Sequence, residues 1–161
     1  MEREAKLKPR VAVIRCEGYD PVSVNRAVAD AVNAIGGIER FVKRGERILL
    51  KPNLLAADPP ERATATHPAV MKSLAVLLAD AGTAVRYGDS PGFGTPEQAV
   101  AGTGLRAAMD EVNAVFADFS AGKNVQFQGR LQARRLTIAN GVLDCDGIIN
   151  VPKLKTHGFQ R

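Results

Sequence analysis

Short apolar runs recur along the chain, and each is bounded by glycine, proline or charged residues. Runs of this length with such flanks are typical of strands that a sheet buries on both faces. We therefore predict strands at Val11–Ile14, Arg47–Lys51, Ala84–Tyr87, Ala114–Ala117 and Gly147–Val151.

Between these runs, apolar residues recur at helical spacing, and the helix starts carry recognisable capping residues. Asp20 followed by Pro21 predicts an N-cap with proline at the first helical position, and His67-Pro68 repeats that pattern. Thr95–Gln98 has the spacing of a capping box. Strands that alternate with helices imply βαβ units. The sequence thus predicts an α/β fold whose mainly parallel, Rossmann-like layered sheet carries helices on both faces.

The region around residues 114–140 departs from this alternation. From Val125 to Ile138, apolar residues alternate with basic or polar ones, and Asn140-Gly141 is a turn signal. Such alternation is typical of strands that are exposed on one face. We predict a small antiparallel edge or insertion here, within one α/β domain that spans residues 1–161.

Composition indicates a globular domain and limits the classes of partner that we expect. The 161 residues are 45% hydrophobic, and Met1–Arg10 lacks the apolar core of a secretory signal. No apolar run approaches the roughly 18 residues of a membrane span, so we expect a cytoplasmic protein without a membrane partner. The net charge of +5 permits an anionic ligand. The densest basic cluster, Arg130, Arg134 and Arg135, is interpreted as a solvated surface in preference to a nucleic-acid footprint.

The two cysteines indicate little chemistry by their spacing. Cys16 and Cys145 are far apart in the sequence, which excludes a disulfide framework and a Cys-x-x-Cys metal site. Both lie in or beside apolar runs, so we predict buried thiols. Two cysteines also fall short of the set that an iron–sulfur cluster requires.

Polar residues gather where the predicted strands end. The carboxyl ends of parallel strands share one edge of a sheet, and open α/β sheets bind ligands outside that edge. We predict ligand-binding roles for six of these residues: Lys51, Asn53, Ser90, Asn150, Lys153 and Lys155. We predict catalytic acid–base roles for three: Asp89, His67 and His157. No residue is assigned to a metal.

Each candidate has a functional and a simpler structural interpretation. Lys153 and Lys155 point the same way if the chain stays extended, which suits an anion, but a solvated basic loop has the same pattern. His67 at a helix start would stay neutral and suit a proton acceptor or metal ligand, but it would also serve as a simple cap. Gly88–Gly92 lets the backbone approach a ligand closely, and an Asx turn uses the same residue types.

Four blocks of sequence resemble, in order and spacing, the signature blocks of the DUF362 family: Lys51–Leu55, Thr66–Pro68, Gly88–Gly92 and Asn150–His157. Val11–Asp20 also fits the family pattern, so the resemblance covers almost the whole chain. The family is named for its unknown function, and many members look like iron–sulfur proteins with an attached ferredoxin-like segment. We expect this chain to be a fragment. The resemblance then implies that a 4Fe–4S cluster could lie only in a C-terminal segment that is missing from the chain.

The function that these patterns favour is an enzyme domain of unknown reaction that binds a small anionic ligand at the C-terminal ends of the strands. Two alternatives stay open. One is a redox, iron–sulfur-associated accessory module whose cluster-binding part is absent from this chain. The other is a non-catalytic nucleic-acid-binding domain. The sequence leaves the cofactor, the substrate and the oligomeric state undetermined.

Overall fold

Helices and strands alternate along the part of the chain that the computed structural model describes, residues 9–126 and 135–156. The α-helices are α1 (Pro21–Ala34), α2 (Pro68–Asp80), α3 (Pro96–Gly102), α4 (Leu105–Asp110) and α5 (Asn140–Leu143). The strands are β1 (Arg47–Pro52), β2 (Ala84–Tyr87), β3 (Val115–Phe116), β4 (Gly122–Gln126), β5 (Arg135–Ala139) and β6 (Gly147–Val151). Ile38–Arg40 and Pro60–Arg62 form short 3₁₀ turns in the loops.

The main sheet has four parallel strands in the order β3-β2-β1-β6. Leu50 of β1 lies level with Tyr87 of β2 on one side and with Ile149 of β6 on the other. A separate pair, β4 and β5, is antiparallel. The predicted α/β fold, with its mainly parallel sheet and its small antiparallel pair, is confirmed. The strand order reverses beside β1, because β2 and β3 extend outward on one side while β6 lies on the other.

The hydrophobic core lies on one face of the sheet. Because side chains alternate along a strand, Ile48 and Leu50 of β1 point into this core while Leu49 between them does not belong to it. Val85 and Tyr87 of β2 follow the same alternation. The helices that cover this face contribute further buried residues: Met71, Leu74 and Leu78 of α2, Val100 of α3, and Leu105 and Met109 of α4. Val28 and Val32 of α1 pack at its margin, so α1, α2 and α4 share one side of the sheet.

Three helices begin where their sequences predict. The Asp20 carboxylate accepts a hydrogen bond from the backbone N–H of Ser23 at 2.9 Å, ahead of the proline that starts α1. At the start of α2, the Nδ1 atom of His67 accepts from the N–H of Ala69 at 3.2 Å. The capping box of Thr95 and Gln98 is formed in both directions at α3. Each cap satisfies backbone donors that the first turn leaves unpaired.

An ion pair joins the amino ends of β1 and β6. The carboxylate of Asp146 accepts hydrogen bonds from the backbone N–H of Arg47 at 2.8 Å, from its Nε at 3.1 Å and from its Nη2 at 2.9 Å. These bonds from Arg47 lower the pKa of Asp146 from 3.8 to about 2. The two strands are therefore held in register from their first residues.

The predicted strand at Val11–Ile14 is wrong for this structure. The segment forms no strand, and Val11 and Val13 are 85% and 90% exposed. A cavity of about 490 Å³ is lined by Ile14 on one side and by Val24 and Val28 of α1 on the other. An apolar run shows only that a segment suits a buried strand, and it becomes one only where an edge of a sheet receives it.

The prediction of buried thiols is also wrong for one of the two cysteines. Cys16 is exposed, because the segment that carries it lies outside the sheet. Cys145 is half-buried, its thiol donates to the carbonyl of Val142 at 3.0 Å, and burial raises its pKa above 9.0. Both are free thiols.

Candidate functional site

The candidate site lies at the carboxyl ends of β1 and β6, where the strand order reverses. Lys51, near the end of β1, is level with Asn150 in β6, so the two residues are neighbours across the sheet. Connections diverge at such a reversal and leave a crevice, which is where open α/β sheets bind ligands.

A salt bridge joins the carboxyl ends of β1 and β2. The ammonium group of Lys51 lies 2.7 Å from one carboxylate oxygen of Asp89, and the other oxygen accepts from the backbone N–H of Leu54 at 3.0 Å. Asp89 is buried, with 7% of its surface exposed. Both of its oxygens are therefore engaged, and the charge of Lys51 is neutralised within the protein.

A second set of hydrogen bonds holds the loop before α2 against the carboxyl ends of β1 and β6. The buried hydroxyl of Thr66 donates to the carbonyl of Val151 at 2.6 Å and accepts from the N–H of Asn53 at 2.8 Å. The side-chain amide of Asn53 donates to the carbonyl of Thr64 at 3.0 Å. Thr66 and Asn53 thus hold the loop against the sheet, and the side-chain amide of Asn53 is engaged in its hydrogen bond to Thr64.

Tyr19, His67 and Lys153 form a compact cluster at the same edge. The rings of Tyr19 and His67 are stacked, with 3.7 Å between their centroids and 10° between their planes. The ammonium group of Lys153 donates to the hydroxyl of Tyr19 at 3.2 Å and lies 5.7 Å from the centroid of that ring. Three distant parts of the chain meet here: the turn before α1, the cap of α2 and the loop after β6.

The cap at α2 determines which nitrogen of His67 carries the proton. Because Nδ1 accepts from Ala69, the neutral ring has its proton on Nε2, which is then a hydrogen-bond donor. Burial lowers the pKa of His67 below 6.5, and the positive charge of Lys153 lowers it further. The ring is therefore neutral at pH 7, with its one N–H on Nε2.

The structure brings some of the predicted site residues together and leaves others apart. Lys51 and Asp89 meet each other, His67 and Lys153 meet through Tyr19, and Asn53 supports the loop. Ser90 and Asn150 are exposed and Lys155 is half-buried at the same edge. His157 lies outside the described residues, as do Arg130 and Arg134 of the basic cluster.

Tyr19 is the site residue that sequence reasoning missed. The sequence feature that could have identified Tyr19 is its position directly before the Asp20-Pro21 cap of α1. A helix that packs on a parallel sheet begins at the carboxyl edge of the strands, where the candidate site lies. An aromatic residue at that point can reach the cap of the neighbouring helix, and Tyr19 reaches His67.

Two kinds of site are not found in the described parts of the chain. Within residues 9–126 and 135–156, no three His, Cys, Asp or Glu side chains converge closely enough to hold a metal ion. Over the same residues, no helix has the length and apolar character needed to cross a bilayer.

The fold defines a Rossmann-like α/β domain with Lys51, Lys153 and Lys155 at the carboxyl edge of its parallel sheet. The model of the family described as "Domain of unknown function (DUF362)" matches residues 48–161. The chain belongs to this family.

The chain is also similar to a curated protein. A thylakoid-associated protein of Synechocystis sp. is 32% identical over 147 residues, which cover 91% of this chain and 45% of the relative. The chain therefore spans less than half the length of that relative. No solved structure matches the chain.

Proposed function

We propose that this domain binds a small anionic ligand at the carboxyl ends of β1 and β6, with Lys153 as the main anchor. The observation that carries the proposal is the position of Lys153. Its ammonium group is held by the hydroxyl of Tyr19 beside His67, and within the described residues no carboxylate lies in salt-bridge distance of it. A half-buried lysine without an acidic partner favours an anion from solution.

The balance of charge at this edge supports the proposal. Asp89 neutralises Lys51, which leaves Lys153 and Lys155 to give the loop after β6 a net positive charge. The amino end of α2 lies near Lys153, because Tyr19 contacts both Lys153 and the capping residue His67, and it adds the partial positive charge of a helix start. An anion bound at Lys153 would therefore also be stabilised by this helix end.

The donors at the site indicate the chemistry of the ligand. Lys153 offers ammonium hydrogens, His67 offers the proton on Nε2, and the hydroxyl of Tyr19 keeps its own hydrogen while it accepts from Lys153. A group with several acceptor oxygens satisfies all three donors at once. Phosphate and carboxylate groups have this character.

A catalytic role at this edge belongs to the same proposal. With Nδ1 engaged in the cap of α2, the neutral ring of His67 can donate a hydrogen bond through Nε2, and it would have to release the cap before Nδ1 accepted a proton. Asp89 would have to leave Lys51 and Leu54 before it served as a base. His67 would thus act as an acid only in the imidazolium form that breaks the cap, and the reaction stays open.

Thermal unfolding in the presence of phosphate, citrate and chloride tests the binding proposal. A bound anion should raise the melting temperature in a saturable way, because it binds only the folded state. Lys153→Met should remove the saturable rise. Lys43→Met is the matched control, since Lys43 is an exposed lysine near the amino end of β1 and should leave the rise unchanged.

Citrate and phosphate also stabilise proteins non-specifically through exclusion from their surface. That effect grows steadily with concentration and would be equal in the two lysine variants. The binding proposal fails if Lys153→Met and Lys43→Met respond alike to every anion.

We further propose a cytoplasmic location, supported by the two free thiols, which are typical of reducing compartments. Cell fractionation tests it against the membrane association in the relative's name: recovery with washed membranes would contradict it. The iron–sulfur-associated and nucleic-acid alternatives stay proposals of lower rank, because within the described residues no contact favours either.

A further inference from the structure

The outer edge of β6 is open and borders an apolar groove. In the described part of the chain β6 pairs only with β1, and Ile148 in its middle is 49% exposed. The groove beside it has a volume of about 370 Å³ and is lined by residues that include Val32 of α1 and Ile35, which follows α1 directly. An unpaired strand edge beside an apolar groove is a surface that accepts a further strand.

The chain carries a segment whose composition suits such a further strand. Val11–Ile14 is apolar and rich in β-branched residues, and Val13 is 90% exposed. Among the described residues, its backbone makes no hydrogen bond. Exposed apolar side chains and unpaired backbone groups are both relieved when a strand joins a sheet.

The handedness of the fold places this segment on the side of β6. The helices α1, α2 and α4 share one face of the sheet, and the chain moves in one direction from β1 through α2 to β2 and through α4 to β3. Crossover connections between parallel strands are right-handed in about 98% of cases. A strand that precedes α1 on this face must therefore lie on the opposite side of β1 from β2, and the open position there is the edge of β6.

The reach of the chain fits the same position. Tyr19 is fixed by Lys153, which follows β6 by two residues, so the segment emerges beside the carboxyl end of β6. Five residue steps separate Ile14 from Tyr19 and span at most roughly 17 Å. Val11–Ile14 can therefore run beside β6, parallel to it, without displacing Tyr19 or α1.

We propose that residues 11–14 dock as a fifth parallel strand on the open edge of β6, with alternate side chains in the groove beneath α1. The structure holds the segment undocked, so docking is a closing motion of the chain ahead of Tyr19. The proposal does not depend on the anion site.

Disulfide trapping tests the docked position. In a background with Cys16→Ser and Cys145→Ser, Val13→Cys is combined in turn with Ile148→Cys and Asn150→Cys, because the register is not fixed in advance. Neighbouring strands bring Cα atoms within the range of roughly 4.4–6.8 Å that a disulfide spans. Val13→Cys with Val115→Cys is the control, since Val115 is exposed on β3 at the opposite edge of the sheet.

The expected result is a disulfide within one chain for at least one β6 pair, at a yield independent of protein concentration, and none for the Val115 pair. Two results overturn the proposal. One is no trapping above the control. The other is trapping only between chains, which would assign the edge to a second copy.

A pair of charge substitutions gives a second measurement on the unlinked protein. Val13 and Val22 are 90% and 78% exposed in the undocked arrangement, so neither Val13→Asp nor Val22→Asp would lower the melting temperature if the segment never docked. Docking predicts that Val13→Asp lowers the melting temperature by several degrees while Val22→Asp, in the first turn of α1, does not. A melting temperature of Val13→Asp equal to that of wild type would overturn the proposal, whatever the disulfides show.

Discussion

The phenol ring of Tyr19 lies flat on the imidazole of His67, with 3.7 Å between the ring centroids. The stack covers an imidazole whose burial lowers its pKa below 6.5 and keeps it neutral at pH 7. The ring that caps α2 is therefore also a neutral hydrogen-bond donor close to Lys153, and a proton gained at Nδ1 would break the cap.

Replacing Tyr19 by leucine should raise the pKa of His67 towards 6.5, because the imidazole would lose most of its cover. Tyr19→Phe keeps the stack and should leave the pKa low. The measurement is an NMR titration of the imidazole C–H signals, with His157→Gln to identify the second histidine. A pKa in Tyr19→Leu that stayed at the wild-type value would show that other neighbours bury the ring.

The same lowered pKa predicts how stability depends on pH. The unfolded chain binds a proton at His67 near pH 6.5, whereas the folded chain binds it only at lower pH. The stabilising contribution is thus complete above pH 6.5 and is lost as the pH falls from 6.5 through the folded pKa. Urea midpoints between pH 8 and pH 5 should fall more steeply for wild type than for His67→Asn, which keeps a capping oxygen and does not titrate.

Acid should also weaken the ion pair between Arg47 and Asp146. The folded pKa of about 2 lies below the unfolded value of 3.8, so this contribution is present above pH 3.8 and is lost as the pH falls towards 2. Asp146→Asn should therefore be less stable than wild type at pH 5, with a difference that shrinks as the pH falls towards 2. Asp144→Asn, an exposed neighbour, is the control and should show no such convergence.

Thr66→Val should destabilise the loop between β1 and α2. The substitution removes the donor to Val151 and the acceptor for Asn53, and each buried polar group left unpaired costs about 1–3 kcal/mol. Thr64→Val, which loses a bond from a half-buried hydroxyl to Asp58, should cost less. The measurement is the free energy of unfolding in urea, and equal losses for the two variants would contradict the role given to Thr66.

Lys51 and Asp89 should show strong coupling in a double-mutant cycle. Lys51→Met leaves a buried carboxylate with only the N–H of Leu54, and we expect a loss of about 1–3 kcal/mol, because the lysine is partly exposed and solvent screens the pair. Asp89→Asn in that background should recover part of the loss. Additive losses in the cycle would mean that the two charges do not stabilise each other.

Local sequence predicted the helix starts well for a physical reason. Asp20, His67 and Thr95 each bond to a backbone N–H two or three residues further on, so the sequence of one turn is sufficient to predict them. The strands at Arg47–Pro52 and Gly147–Val151 were likewise indicated by continuous apolar runs. Such a run is typical of a strand that is buried on both faces, which holds for β1, whereas Ile148 and Asn150 of β6 are exposed.

Contacts between distant parts of the chain decided the rest. Sequence alone determined that this is a parallel α/β domain with basic and acidic groups at the strand ends. It could not determine that Asp89 neutralises Lys51, that Tyr19 covers His67, or that Val11–Ile14 lies outside the sheet. Strand order and the identity of each edge neighbour depend on which segments meet across the whole sheet, and that choice is made by the tertiary structure.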